Sequence, residues 1–239
     1  RFTKDGLECL TCKPLTYFEE VDIKLLDEGK YSREYQLSGF TKLNIGSAFI
    51  IIVKKGEDYK VVITGEDDND MDEVTVKVDG DELEIDYEHD LFEININRHN
   101  FNFTVNRNNM EVSVTMPEIS GVYFHGASKS SISGFNTEDF HIELSGASQS
   151  KIDIMTEKLE IEMSGASELT LSGTGNELDA EVSGASELNA YKFKVKNAWL
   201  QASGASDVRV YVTEKVRIET SGMSDVKFKG NPKVVERRR

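Results

Sequence analysis

Proline and long apolar runs are both scarce in this chain. Only three of its 239 residues are proline and 18 are glycine, which excludes a collagen-like or linker-rich protein. The longest apolar run, residues 48–53, has the length of a strand, whereas a membrane-spanning helix needs about 20 apolar residues. The first residues, Arg1-Phe2-Thr3, do not resemble a signal peptide. We therefore predict no transmembrane segment and expect an exported form to be the mature or a trimmed chain.

Basic residues are few relative to acidic ones. The chain has 28 Lys and Arg against 43 Asp and Glu, which gives a formal net charge of −15. Such a surface repels phosphate backbones and anionic lipids, so neither nucleic acid nor an acidic membrane surface is a predicted partner. The one concentrated basic patch, residues 237–239, is typical of a solvated tail.

Cysteine, histidine and tryptophan are also rare. Cys9 and Cys12 form a single Cys-x-x-Cys pair without the βαβ context of a redox motif. A structural zinc site needs four ligands. The four histidines lie far from this pair and show no ligand spacing: His89, His99, His125 and His141. We predict no metal and no cofactor, and interpret the single tryptophan, Trp199, as packing on a β-face rather than stacking on a sugar.

Three alternating aspartates, Asp68, Asp70 and Asp72, resemble the start of a calcium-binding EF-hand loop. Glu73 stands where that loop requires glycine, and Asp79 stands where it requires glutamate. The segment is therefore predicted to be an acidic hairpin or loop.

Alternating apolar and polar residues indicate an all-β protein. Strands are predicted at residues 40–45, 48–53, 59–63, 74–78, 83–87, 92–96, 101–105 and 112–116. Residues 79–82 are predicted to form a hairpin turn, and residues 1–34 an irregular or partly paired extension. No segment of helical length carries a 3.6-residue apolar stripe.

A Gly-Ala-Ser motif, usually preceded by another serine, recurs along the second half of the chain. Its glycines are Gly126, Gly146, Gly165, Gly184, Gly204 and Gly222, and the serines two positions later are Ser128, Ser148, Ser167, Ser186, Ser206 and Ser224. So short a period with one-residue slips indicates one supersecondary unit stacked on copies of itself. We predict a parallel β-helix with about 19–20 residues per coil. Three short faces per coil are favoured, residues 192–195 being an example of the third.

The two-residue period of a strand predicts the direction of each motif residue. Counting by twos from Ile161 passes Met163, Gly165 and Ser167, so the glycine and second serine are predicted to face inward. Inward glycine would leave room at a sharp bend and suits positive φ, and the inward serines are predicted to form a hydroxyl ladder. The first serine and the alanine are predicted to face outward as a side-chain-poor strip.

The repeated serines are not predicted to be catalytic. A nucleophile elbow needs glycine two residues after the serine, and none of the six copies has it. Six near-equivalent serines also favour architecture, because one active site needs one nucleophile. No catalytic residue is predicted.

The residue after each repeat serine is predicted to form an outward column. Its members are Lys129, Gln149, Glu168, Glu187, Asp207 and Asp225. Neighbouring carboxylates about 4.8 Å apart repel by about 0.9 kcal/mol even at the dielectric of water. The next outward position can partly neutralise them with Lys151, Thr170, Asn189, Arg209 and Lys227. A solvated acidic face and a site for calcium or a basic partner at Glu168, Glu187, Asp207 and Asp225 are the two interpretations.

Five features occur in an order that resembles a known family. They are Gly39-Phe40 before Ile45, the strand at residues 83–85, Met116-Pro117, the Ser-Gly-Ala-Ser coils and the terminal Gly-Asn-Pro at residues 230–232. Over residues 37–233 the chain resembles the bacterial domain family of unknown function called putative auto-transporter adhesin, head GIN domain. The resemblance implies a right-handed parallel β-helix exported by Bacteroidetes-type bacteria, an adhesin role that is itself inferred, and no catalytic residues to carry over.

These observations predict one β-helical domain with flanking segments. Residues 1–36 are an N-terminal extension, residues 37–116 an N-terminal β part that stacks on or caps the helix, residues 117–233 the repeat coils, and residues 234–239 a tail. The predicted function is a non-enzymatic, exported cell-envelope protein that binds a glycan or a protein. The alternatives are a purely structural envelope scaffold and a carbohydrate-active enzyme. Clustered aromatic and polar side chains on one face favour binding, smooth charged faces favour the scaffold, and carboxylates converging in a groove favour the enzyme.

Overall fold

The computed structural model describes residues 22–27, 30–87, 92–97, 100–105 and 110–238 of the chain. Residues 1–21, with the Cys9 and Cys12 pair, lie outside the described residues, as do the side chains of His89, His99 and the terminal arginines. The described part is almost entirely β, as predicted. In chain order the elements are β1 (Asp22–Asp27), β2 (Lys30–Tyr35), β3 (Lys42–Ile45), β4 (Ile50–Lys55), β5 (Lys60–Gly65), α1 (Asp68–Asp72), β6 (Val74–Asp79), β7 (Glu82–Tyr87), β8 (Phe92–Asn97), β9 (Asn100–Val105), β10 (Glu111–Met116), β11 (Gly121–Phe124), β12 (Lys129–Leu144), β13 (Gln149–Met163), β14 (Glu168–Val182), β15 (Glu187–Ala202), β16 (Asp207–Thr220), β17 (Asp225–Lys229) and β18 (Lys233–Arg238).

Five long strands, β12 to β16, form the body of a β-solenoid of about six turns. Each strand runs parallel to the next and occupies one coil, between one Ser-Gly-Ala-Ser corner and the following one. Lys129 is paired with Gln149 and Gln149 with Glu168, so paired residues are one repeat apart along the chain. The predicted parallel β-solenoid is therefore confirmed.

The slips in repeat length are absorbed as bulges within the coils. In β12 the register with β13 shifts between Ser133 and Phe135, around Gly134, whose φ is 91°. In β15 the register with β16 jumps between Ala190 and Lys194, so three residues of one strand have no counterpart in the other. The corners are thereby kept in line although the coils differ in length.

Each coil has two arms that enclose the core. In β13 the buried positions alternate from Ser150 to Thr156, and the alternation changes phase at Glu157-Lys158 before resuming from Leu159 to Met163. The Ser-Gly-Ala-Ser corner is the second break. Residues 192–195, predicted to be a third segment of the coil, lie in the middle of the continuous strand β15 between two changes of phase, at Tyr191-Lys192 and at Lys196-Asn197. We call the part after each corner the first arm and the part before the next corner the second arm.

The N-terminal strands extend both arms and then cap them. On the first arm β4 pairs in parallel with β12 and β10, and on the second arm β3 pairs in parallel with β11 and β7. Pairing then turns antiparallel, with β5 on β10, β2 on β5, β1 on β2 and β6 on β7. The predicted N-terminal cap is present, and it includes β2 from the segment assigned to the extension. The turn predicted at residues 79–82 joins β6 and β7, with φ of 61° at Gly80.

The C-terminal end is a partial coil. Strands β17 and β18 both pair with β16, so β18 continues the second arm through residues 234–238, which were expected to belong to a tail. Strands β8 and β9 form a separate antiparallel hairpin. Within the described residues, no helix has the length and hydropathy to cross a bilayer.

A single apolar core runs along the axis through both halves. Inward residues from the two arms of successive coils, such as Ile142, Ile161, Leu169, Leu188 and Ile218, are buried in one cluster. Most outward positions are polar or charged. Because the coils are in register, each coil displays the same few side-chain positions in line on each arm.

Candidate binding face

The repeat corner is built on glycine, but the glycine does not face inward. Gly184 is exposed at the corner with φ of 74°. A Cβ on Gly184 would lie 2.4 Å from the carbonyl oxygen of Gly165 in the preceding coil. The predicted inward direction is therefore wrong, because three consecutive residues point outward at the bend and the two-residue count fails there. The suggested positive φ is confirmed, and the five other motif glycines share it.

The second serine of the motif does face inward. It is buried in five of the six copies, at Ser128, Ser148, Ser167, Ser186 and Ser206. The hydroxyl row predicted along the axis is mostly wrong, since only one pair of these serines, Ser128 and Ser148, bonds through the hydroxyls, at 3.2 Å. More often the hydroxyl donates to the carbonyl three residues earlier, as from Ser167 to Ser164 at 2.8 Å. These serines thus close each corner.

The outward corner strip is present as predicted. Ser164 and Ala166 are both exposed. The backbone of the strip pairs with the neighbouring coil, since the N–H of Ala166 donates to the carbonyl of Gly146 at 2.8 Å and this contact recurs from coil to coil. The small side chains therefore suit a tight, regularly bonded corner.

The acidic column lies in register on the first arm. Its members pair in sequence from Lys129 to Asp225. Arg209 bridges Glu187 and Asp207, the latter at 2.7 Å, and Lys227 pairs with Asp225 at 2.7 Å. Among the described residues, these carboxylates do not converge into a group of three metal donors. The column is largely neutralised by its neighbours, and a cation there stays a prediction.

The aspartates of the EF-hand-like segment occupy α1 and its ends. The guanidinium of Arg33 contacts the carboxylate of Asp68 at 2.7 Å and that of Asp72 at 2.6 Å. These contacts, together with desolvation that acts in the opposite direction, leave the pKa of Arg33 raised. The segment therefore attaches to β2 through an ion pair.

A second group of outward side chains, on the second arm, was not anticipated as a unit. One column contains His141, Glu160, Asp179, Trp199 and Arg217. The column on one side contains Glu143, Glu162, Glu181, Gln201 and Glu219, and the column on the other side contains Asp139, Lys158, Glu177, Asn197 and Lys215. We call these three columns the second-arm face.

Trp199 is the large apolar side chain of this face. It is 39% exposed, so the expected packing on the β-face covers only part of the ring. The guanidinium carbon of Arg217, on the next coil, lies 4.9 Å from the ring centroid. Arg217 is in turn held by Glu219 at 3.0 Å and Glu236 at 2.8 Å. The indole is therefore fixed in orientation by a cation–π contact while part of it stays open to solvent.

A shallow groove lies beside Trp199. Its volume is about 430 Å³, and its polar lining comes from Lys158, Glu177, Asp179, Asn197 and Lys215. The Oδ1 atom of Asn197 is buried and has no hydrogen-bond partner among the described residues. Burial, together with the nearby Glu160 carboxylate, raises the pKa of Asp179. The groove thus combines an aromatic surface, acceptors, donors and one unsatisfied amide oxygen.

Sequence reasoning missed this face because its members are brought together by coil register. Asp179 aligns with Trp199 one repeat away, and Trp199 aligns with Arg217 after a shorter step. Both steps equal the spacing of the motif glycines, because each member of the central column lies five residues before one of them. The available signal was the outward phase of residues 158–163 and their equivalents.

Fold and repeat together define a capped β-solenoid whose coils turn at Ser-Gly-Ala-Ser corners. The chain belongs to the family described as putative auto-transporter adhesin, head GIN domain, whose model matches residues 39–232.

Solved structures from Bacteroides and Parabacteroides species share this fold. A putative adhesin from Bacteroides fragilis has a TM-score of 0.77 at 19% identity, over 89% of this chain and 94% of that one. A putative lipid binding protein from Parabacteroides distasonis has a TM-score of 0.60 at 17% identity, over 88% and 93%. A putative adhesin from the same species has a TM-score of 0.62 at 14% identity, over 87% and 93%. No curated protein matches the chain. At these identities the likeness establishes the fold alone.

Proposed function

We propose that this protein is an exported, non-catalytic binding module of the cell envelope that binds a glycan at the Trp199 groove. The observation that carries the proposal is the exposed Trp199 next to the unpartnered Oδ1 of Asn197. The family name and the adhesin names of structural neighbours support a role at the cell surface.

The chemistry of the groove suits a sugar ring. An indole offers a rigid apolar surface, and the groove is of the size that takes one or two small ring units. A change of the Asn197 rotamer would bring Oδ1 to the groove, where a ligand hydroxyl could donate to it and remove the cost of burying that oxygen without a partner. Glu177 and Asp179 can accept further hydroxyl protons, while Lys158 and Lys215 can donate to ring or hydroxyl oxygens.

The second-arm face also supports a binding module over a scaffold. Aromatic, amide and both kinds of charged group share one groove. A scaffold needs only solvated charges, and it gains nothing from a tryptophan held in place by Arg217 at the surface.

The single tryptophan of the chain makes the proposal directly measurable. Glycans are first screened for binding with and without calcium. Each glycan that binds is then titrated into the protein while the fluorescence of Trp199 is recorded. Binding should change its emission. Asn197→Ala should weaken binding about tenfold through loss of a buried hydrogen bond, while keeping the fluorophore. Asn189→Ala, which removes the same group from the first arm, is the matched control and should bind as the wild type does.

Other outcomes point to the competing functions. Binding that is equally strong in the Asn197→Ala variant moves the site elsewhere on the molecule. Absence of any glycan hit, with binding to a matrix protein instead, replaces the sugar by a protein partner. No binding at all favours the envelope scaffold, and recovery of a shortened glycan after incubation favours the enzyme.

A further inference from the structure

Three metal-binding side chains converge next to the groove but outside it. His141 and Glu160 are register partners on β12 and β13, and Glu162 follows two residues along the same outward face. The Nδ1 atom of His141 lies 3.6 Å from Oε2 of Glu160. One donor atom from each of the three side chains can be chosen so that all lie within 4.8 Å of one another.

These separations fit a single small cation. Ligand atoms at about 2.0–2.2 Å from a tetrahedral zinc ion stand about 3.3–3.6 Å apart. The imidazole and the Glu160 carboxylate are therefore at ligand spacing already, at 3.6 Å. Both glutamates are exposed, so the Glu162 carboxylate can close the remaining gap by a change of rotamer.

The surroundings supply both orientation and excess negative charge. The ring of Tyr123 lies 5.3 Å from that of His141 and restricts the imidazole. Glu143 and Glu181 flank Glu162 on the neighbouring coils, and Asp179 follows Glu160 in its column. Among the described residues, Lys158 is the cation on the same arm of β13, and Glu162 has no cationic partner. A bound dication would relieve this like-charge repulsion.

We propose that His141, Glu160 and Glu162 bind one divalent transition-metal ion of the zinc class. Imidazole nitrogen with two carboxylates suits zinc and its neighbours, whereas calcium prefers oxygen ligands alone. Three protein ligands leave a coordination position for water or for an oxygen of a ligand. The proposal is independent of glycan binding, because it depends on residues outside the Trp199 groove.

The test is titration of the metal-free protein with zinc chloride by calorimetry, without any glycan. The wild type should bind one equivalent more than His141→Ala and than Glu162→Gln. Two controls should keep that equivalent: His125→Ala, which removes an exposed histidine elsewhere, and Glu181→Gln, which removes a neighbouring carboxylate. Any zinc held at Cys9 and Cys12 is common to all five proteins and cancels in the comparison.

Two further measurements distinguish a defined zinc site from nonspecific zinc binding to an acidic surface. On zinc addition, the side-chain nitrogen signals of His141 should shift in NMR spectra, and those of His125 should not. Cobalt should bind at the same stoichiometry and give visible absorption bands that the His141→Ala protein lacks. The proposal is overturned if the wild type binds no more zinc than His141→Ala. It is also overturned if the His125→Ala or Glu181→Gln control loses the zinc equivalent instead. Circular dichroism melting confirms that each variant is folded.

Discussion

The corner glycines combine a backbone conformation with a close approach between coils. The carbonyl oxygen of Gly165 accepts a hydrogen bond from the N–H of Ala185 at 2.7 Å. That hydrogen bond holds the oxygen only 2.4 Å from where a Cβ of Gly184 would lie. The positive φ of Gly184 is also costly for any side chain. Two independent physical reasons therefore require glycine at this position.

We predict that Gly184→Ala destabilises the fold by about 1–3 kcal/mol, from backbone strain and the displaced corner hydrogen bond. Urea denaturation followed by circular dichroism measures the change. Ala185→Ser is the control. Ala185 is exposed at the same corner, so this substitution should leave the urea midpoint almost unchanged. Equal midpoints for Gly184→Ala and the wild type would contradict this account of the corner.

At the level of the strand, a large buried side chain fills the bulge that accommodates the extra length of one coil. Phe193 lies in the segment of β15 that has no counterpart in β16, and it is fully buried. Gly175 on the preceding coil leaves room for it, since a Cβ there would lie 2.7 Å from the Phe193 ring. The small residue of one coil and the large residue of the next are thus a matched pair.

We predict that Gly175→Ala costs about 1–3 kcal/mol through overpacking against this ring. In Phe193→Leu the ring is absent, so adding Gly175→Ala should cost less by about 1 kcal/mol. A double-mutant cycle of unfolding free energies measures the coupling. Strictly additive costs would show that the Phe193 ring is not what excludes a side chain at Gly175.

Sequence periodicity was sufficient for the coils but not for the faces they display. The two-residue period located strands such as β7 and β10, and the motif spacing gave the parallel stacking of β12 to β16. Parity failed at Gly165, because strand geometry ends at the corner. The second-arm face was missed because outward positions were aligned only after each motif serine, although Trp199 and Arg217 each lie five residues before a motif glycine. Local patterns therefore predict elements, whereas the composition of a face requires the register between distant residues.

On the scale of the whole molecule, the two ends of the solenoid differ in how their last strands pair. The N-terminal end finishes in antiparallel strands, which run from β5 through β2 to β1 on the first arm and consist of β6 on the second. At the C-terminal end, β17 and β18 each pair on one side with β16, and no second partner strand occurs in the described part of the chain. Exposed apolar side chains also lie there, with Met223 at 84% and Val235 at 59% exposure. Open edges of this kind are prone to pair with another chain.

Lysines on the terminal strands provide the protection that this edge requires. Lys227 and Lys229 project from β17 and Lys233 from the start of β18, all exposed. Two copies that met edge to edge would bring these positive charges together, and charged edge residues oppose such pairing.

We predict that replacing Lys227, Lys229 and Lys233 by threonine promotes association through the C-terminal edge, while the wild type stays monomeric. Sedimentation velocity over a range of protein concentrations measures the change. The control replaces Lys192, Lys194 and Lys196 in the middle of the solenoid, which removes the same three positive charges from exposed positions of β15. Association in both variants would assign the effect to net charge, and association in neither would show that the terminal lysines do not protect the edge. Association of the edge variant alone would show that the last coil can pair with a strand of another chain, and that the terminal lysines normally prevent this pairing.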